Sequence, residues 1–202
     1  MKVELREKMS WKGCIDKVNE AMCELMRYDV EFIDDKGFSE FLDHLKGLKG
    51  TRFSDRYNSD FRNLDITGYF SVGISDLLCD RSEKCRANIR LISPTFGDAT
   101  KKPDYNNLTA LRKMQDAGIE IKVNDMLHAR LFVGYNQEVS LSNDILLLGS
   151  FDFNREGLSG EKRNAGIITR NPDLVKSARE FFEGMWTDSH YTKSLNEKYP
   201  LK

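Results

Sequence analysis

The residues best suited to chemistry are His128-Ala129-Arg130 and, further along, Gly149-Ser150-Phe151-Asp152-Phe153-Asn154. An imidazole can act as a nucleophile or pass a proton, and near neutral pH both of its protonation states are accessible. A guanidinium two residues away can clamp two oxygens of a phosphate. A Gly-Ser step can bring a backbone N–H and a hydroxyl close to the same anion. Each half of the pattern adjoins an apolar run, Leu131-Phe132-Val133 after the histidine and Ile145-Leu146-Leu147-Leu148 before the glycine. Short apolar runs bounded by Gly and polar residues predict neighbouring buried strands. On such a strand His128 and Arg130 project to the same side.

The pattern resembles the phospholipase D-like phosphodiesterase superfamily, whose signature is His-x-Lys-x4-Asp followed by Gly-Ser-x-Asn. The resemblance extends from about Asn63 to Trp186, with Ile66-Thr67-Gly68-Tyr69-Phe70-Ser71 as the first strand of the domain. It departs from the signature at named places. Arg130 stands for the lysine, Tyr135 for the aspartate and Asp152 for the asparagine; the downstream Asn-x-Glu reads Asn164-Ala165-Gly166.

The resemblance implies a metal-independent phosphodiesterase without a cofactor, and favours a nuclease. Relatives with one motif act as homodimers, pairing two histidines at one seam. His128 is then the nucleophile, forming a phosphohistidine, in one protomer and the general acid in the other. Arg130 holds the phosphate, while Gly149, Ser150, Asn154 and Asn164 line its site. Asp152 either pairs with Arg130 or a protonated His128, or replaces the missing acid that orients histidine. Glu161 is a second candidate for that role, with a solvated loop charge as the plainer reading. The alternative is a catalytically degenerate module that binds nucleic acid or mediates dimerisation. The substitutions at Arg130, Asp152 and Gly166 favour it.

Charge does not advertise the partner: 31 Lys and Arg against 32 Asp and Glu leave a net charge of -1. A nucleic-acid ligand would need a local basic surface. No apolar run approaches the roughly 18 residues that cross a bilayer, and the start is too charged for a signal peptide. A cytoplasmic protein without a membrane partner is therefore expected. Cys14, Cys23, Cys79 and Cys85 lack zinc-type spacing and read as free thiols, with Cys14, Cys23 and Cys79 on apolar helix faces. His44 and His190 are expected at the surface.

The elements that must position these residues follow from periodicity. Helices are predicted over Ile15–Arg27 and Phe38–Leu48 in an N-terminal helical extension of residues 1–60. A polar stretch follows, with Arg52, Arg56 and Arg62 interleaved with Phe53, Tyr57 and Phe61. It reads either as a nucleic-acid contact surface or, preferably, as a connector whose aromatics dock on the core. Strands and helices then alternate: strand Ile66–Val72, helix Ile74–Cys85, strand Asn88–Ser93, helix Asp104–Ala117 and strand Ile119–Val123. Strands His128–Val133, Ile145–Ser150 and Ala165–Thr169 come next. Asn171-Pro172 opens a last helix with a cap residue and a proline at its first position. The alternation predicts an α/β sandwich, and the resemblance implies a phospholipase D-like α-β-α sandwich around a central mixed sheet over residues 61–190, with a tail at 191–202.

Overall fold

The computed structural model describes residues 30–48, 50–51, 53, 57, 60–70, 72–95, 105–136, 144–153 and 164–200. The predicted helix at 15–27, Cys14 and Cys23 lie outside them. The described strands are β1 (Glu31–Asp34), β2 (Asn63–Thr67), β3 (Asn88–Pro94), β4 (Glu120–Asn124), β5 (Leu131–Tyr135), β6 (Ile145–Gly149), β7 (Ala165–Thr169) and β8 (Thr192–Ser194). The described helices are α1 (Asp35–Leu45), α2 (Val72–Cys85), α3 (Tyr105–Asp116), α4 (Pro172–Thr187) and α5 (Leu195–Lys198). One mixed sheet runs β1-β7-β6-β5-β2-β3-β4-β8, parallel only where β2 meets β3 and β3 meets β4.

Two apolar layers sandwich this sheet, because side chains alternate along each strand. Phe132, Ile145 and Leu147 join Phe38 and Phe41 of α1, Leu78 of α2 and Met114 of α3 on one face. Leu131, Val133 and Leu146 meet Val175, Ala178 and Phe182 of α4 on the other. The predicted cap of α4 is present: the Asn171 side chain accepts from the N–H groups of Asp173 and Leu174. Gly118, with φ +83°, ends α3 in the left-handed conformation that glycine adopts without a Cβ penalty.

The boundaries differ from the expectation in instructive ways. β2 covers Asn63–Thr67, not Ile66–Val72, because Gly68 at φ +153° turns the chain out of the sheet before α2 begins. β5 starts at Leu131, so His128 and Arg130 sit on the loop before it. The sheet also takes a strand from each flank of the 61–190 span: β1 pairs with β7 and β8 with β4, at its two edges. Of the interleaved stretch, Phe53, Tyr57 and Phe61 are all buried, as the connector reading requires. His44 is buried, contrary to expectation, since α1 turns that face inward; His190 is exposed.

Candidate functional site

The end of β2, the start of β5, the end of β6 and the start of β7 meet at one end of the sheet, through the registers Thr67↔Leu131, Leu131↔Leu148 and Leu148↔Ile167. Chain segments leaving these strands carry the predicted residues. Thr67, fully buried, ties down the His-x-Arg loop: its hydroxyl donates to the Ala129 carbonyl at 2.9 Å and accepts from the Leu131 N–H at 3.0 Å. These two peptide groups flank Arg130. The loop therefore owes its position to a side chain of the next strand. His128 is exposed on it.

Arg130 is held on several sides. Its Nε donates to Asp152 Oδ1 at 2.5 Å and its Nη1 to the carbonyls of His128 at 3.1 Å and Ala129 at 3.4 Å. Its guanidinium lies 4.8 Å from the centre of the Tyr69 ring. Gly68 makes this approach possible, since a Cβ there would meet the Arg130 Cδ at 3.3 Å and the Phe153 ring at 3.0 Å. Asp152 points to Arg130 because both its neighbours point away. Phe151 stacks on Phe38 with ring centres 4.5 Å apart, and Phe153 on Phe70 at 5.5 Å. Of the two partners open to Asp152 from sequence, the structure selects Arg130.

Ser150 lies across the same end. Its hydroxyl accepts from the Ala165 N–H at 3.2 Å and is placed to donate to Asn164 Oδ1 at 3.3 Å or the Ala165 carbonyl at 3.4 Å. Asn164 in turn donates from Nδ2 to Asp35 Oδ1 at 2.8 Å and from its backbone N to Asp35 Oδ2 at 3.3 Å. Gly149 stands opposite Gly166 in the ladder, and the Phe151 ring lies across both. A Cβ at Gly166 would come within 2.5 Å of Phe151 and 2.6 Å of the Leu148 carbonyl. No glutamate fits at this position without moving backbone. Asn154 and Glu161 lie outside the described residues.

The structure thus brings His128, Arg130, Gly149, Ser150, Asp152 and Asn164 to one end of the sheet. It adds Asp35, Thr67, Gly68 and Tyr69, which the sequence reading missed. The glycine of Gly68-Tyr69, inside the predicted strand Ile66–Val72, was the available signal for two of them; Asp35 carried none. Among the described residues, no three His, Cys, Asp or Glu side chains gather as a metal site requires, and no helix is long and apolar enough to cross a membrane.

Tyr135, at the position of the signature aspartate, lies at the other end of β5. It lines a cavity of about 430 Å³ with Asp65, Arg90 and Arg179. Asp65 is buried and takes Arg90 in two bonds, Nε–Oδ1 at 2.8 Å and Nη2–Oδ2 at 3.0 Å. Burial opposes the charge on Arg90, yet the hydrogen bond and charge of Asp65, with the hydrogen bond to Glu183, hold it more firmly protonated than usual. Burial and the Asp65 carboxylate push the Tyr135 phenol above its ordinary value.

The family model for the cardiolipin synthase, PLD-like domain matches residues 62–186. Among solved structures, Nuc of Salmonella typhimurium, a phospholipase D family member, is similar at 13% identity and a TM-score of 0.58, covering 83% of this chain and 97% of that one. NucT of Helicobacter pylori is similar at 9% identity and 0.54, covering 79% and 96%. TrmBL2, an archaeal chromatin protein described as showing a novel mode of DNA binding, is similar at 9% identity and 0.50, covering 88% and 60%. No curated protein sequence matches.

Proposed function

The chain belongs to the phospholipase D-like superfamily, and from that premise we propose that it is a nucleic-acid-binding module whose inherited phosphodiester site is closed to turnover. The Arg130–Asp152 pair carries this reading. A phosphate taking the Nε edge of the guanidinium must displace the carboxylate that already holds it, and at any edge it must approach that carboxylate's own negative charge. The Ser150 hydroxyl has internal acceptors as well. Substitutions and geometry agree: the position that carries a neutral asparagine in the signature carries the anion that occupies Arg130. The kinship of fold with TrmBL2, a DNA-binding chromatin protein, supports nucleic acid as the ligand.

The second reading is the one the motif suggested first, a metal-independent nuclease acting through a phosphohistidine in a homodimer. It is favoured by His128, which stands exposed at the same end of the sheet as Ser150. A twofold dimer would set two such rings at one seam.

Hydrolysis of bis(p-nitrophenyl) phosphate and of single- and double-stranded DNA in EDTA separates the two. Wild type is compared with His128→Ala and Asp152→Asn, beside oligonucleotide binding by fluorescence anisotropy across a salt series. The binding reading expects salt-sensitive association with no cleavage by wild type. EDTA-resistant cleavage abolished by His128→Ala overturns it in favour of the nuclease. Absence of binding to either form of DNA overturns it as well.

A further inference from the structure

We infer that Asp35, from a helix outside the family match at 62–186, is a positioning residue of this site: it sets the orientation of the Asn164 amide and thereby keeps the Ser150 hydroxyl from serving as a phosphate donor. The inference rests on the reading of this end of the sheet as an inherited phosphodiester site. Asp35 opens α1 and sits 129 positions from Asn164 in sequence, yet its two oxygens take both the side-chain and backbone N–H groups of that residue. A carboxylate only accepts, so it must face the NH2 end of the amide. Oδ1 of Asn164 is then turned to Ser150, where it too only accepts. The hydroxyl therefore spends its single proton on Asn164 or on the Ala165 carbonyl, and it takes the Ala165 N–H on a lone pair.

What remains directed outward from Ser150 is a lone pair, which repels a phosphate oxygen where the signature serine would donate. If the amide turned over, its NH2 would face the serine and donate to it. The proton on Oγ would then have only the Ala165 carbonyl, at 3.4 Å, as an internal acceptor, and an anion could compete for it. Asp35 forbids that turn. The site is thus closed twice, by Asp152 on Arg130 directly and by Asp35 on Ser150 through Asn164. The two carboxylates reach the site from distant parts of the sequence.

The test is titration with inorganic phosphate, followed by ¹H–¹⁵N NMR at the Gly149 and Ser150 amides, with the Asn164 side-chain NH2 pair as a second readout. Asp35→Ala should shift the Asn164 pair and tighten phosphate binding about tenfold, the effect of one freed hydrogen bond and one removed charge. In Asp35→Ala/Ser150→Ala the gain should fall back to a small residue, because the donor is gone while the charge change remains. Asn164→Ala, which leaves α1 untouched, should reproduce the gain should Asp35→Ala fail to fold. A gain that survives Ser150→Ala would show that Asp35 acts by charge alone and would overturn the inference. So would an Asn164 pair that does not move in Asp35→Ala. Asp152→Asn keeps the two failures apart. If it binds phosphate while Asp35→Ala shows no gain, the Asp35 inference falls and the site stands. If neither binds, the site reading falls, and the Asn164 resonances alone decide whether Asp35 holds the amide.

Discussion

Two arginine–aspartate pairs serve the central sheet, one within β2 and β3 and one on loops beyond β5 and β6, and they are built differently. Arg90 and Asp65 face each other from neighbouring strands in register, and two parallel bonds join them. Glu183 takes a third guanidinium nitrogen, and the Phe182 and Trp186 rings lie 5.0 and 5.3 Å from its centre. Arg130 and Asp152 sit instead on segments leaving the sheet and share one bond. Nη1 of Arg130 donates to two carbonyls of its own loop. Opening the first pair breaks two bonds and strips a buried carboxylate of both. Opening the second breaks one bond between two loop residues. The first pair is built into the fold, and under the proposed function the second governs access to the site.

The largest test of this contrast is Asp65→Ala. It leaves a guanidinium that is mostly enclosed without its bidentate partner, and loss of one partner from such a pair costs about 3–5 kcal/mol. The lower end is expected, because Glu183 still accepts one bond. Urea denaturation at pH 7 measures it; a loss within error of zero would erase the distinction between the pairs. Asp152→Ala should cost less, about 1–2 kcal/mol, a value between the exposed and enclosed regimes. Its larger effect belongs on binding: phosphate should associate at least tenfold more tightly than with wild type. The same titration of Asp65→Ala, in the fraction that folds, should leave phosphate affinity unchanged.

Tyr69→Leu probes how firmly the second pair is held. The ring contact with Arg130 contributes about 0.5–1 kcal/mol at a partly open site. Its loss should lower the melting temperature slightly while raising the hydrogen-exchange rate of the Arg130 Nε–H. A rate that does not change would mean that Asp152 alone fixes the guanidinium.

Periodicity made most of the sandwich legible, and the reason is burial. β7 and α4 are found where expected because a short apolar run ending at Thr169 meets Asn171-Pro172 and an uninterrupted apolar stripe. β1 and β8 escaped because they are short edge strands, Glu31-Phe32-Ile33-Asp34 and Thr192-Lys193-Ser194, with too few inward residues to show an alternation. The site was legible as far as its motif extends. The seat of His128 and Arg130 was not, because strand alternation was the only available guide and a Thr67 hydroxyl replaces the ladder there. The missing glutamate at Gly166 also has a cause that only packing reveals, the Phe151 ring against both glycines. Asp35 is invisible in sequence because its role depends on a helix folding back beside Asn164.

The smallest effect should come from Tyr135, the residue that shares its position with the motif and its environment with the scaffold pair. Tyr135→Phe should cost only about 0.5 kcal/mol at pH 7, since Asp65 keeps its bidentate partner. The pH dependence is more telling. The phenol holds its proton to higher pH in the folded chain than the unfolded value near 10, because burial and the Asp65 charge oppose the phenolate. Between those two values the folded state binds more protons than the unfolded one, so stability falls as pH rises through the window. Wild type should therefore lose stability above about pH 10, and Tyr135→Phe should lose less over the same range. Phosphate binding should be unaffected by Tyr135→Phe at any pH where the chain is folded. If it changed, the two ends of β5 would be coupled, and the pair at Asp65 would have to be counted as part of the site.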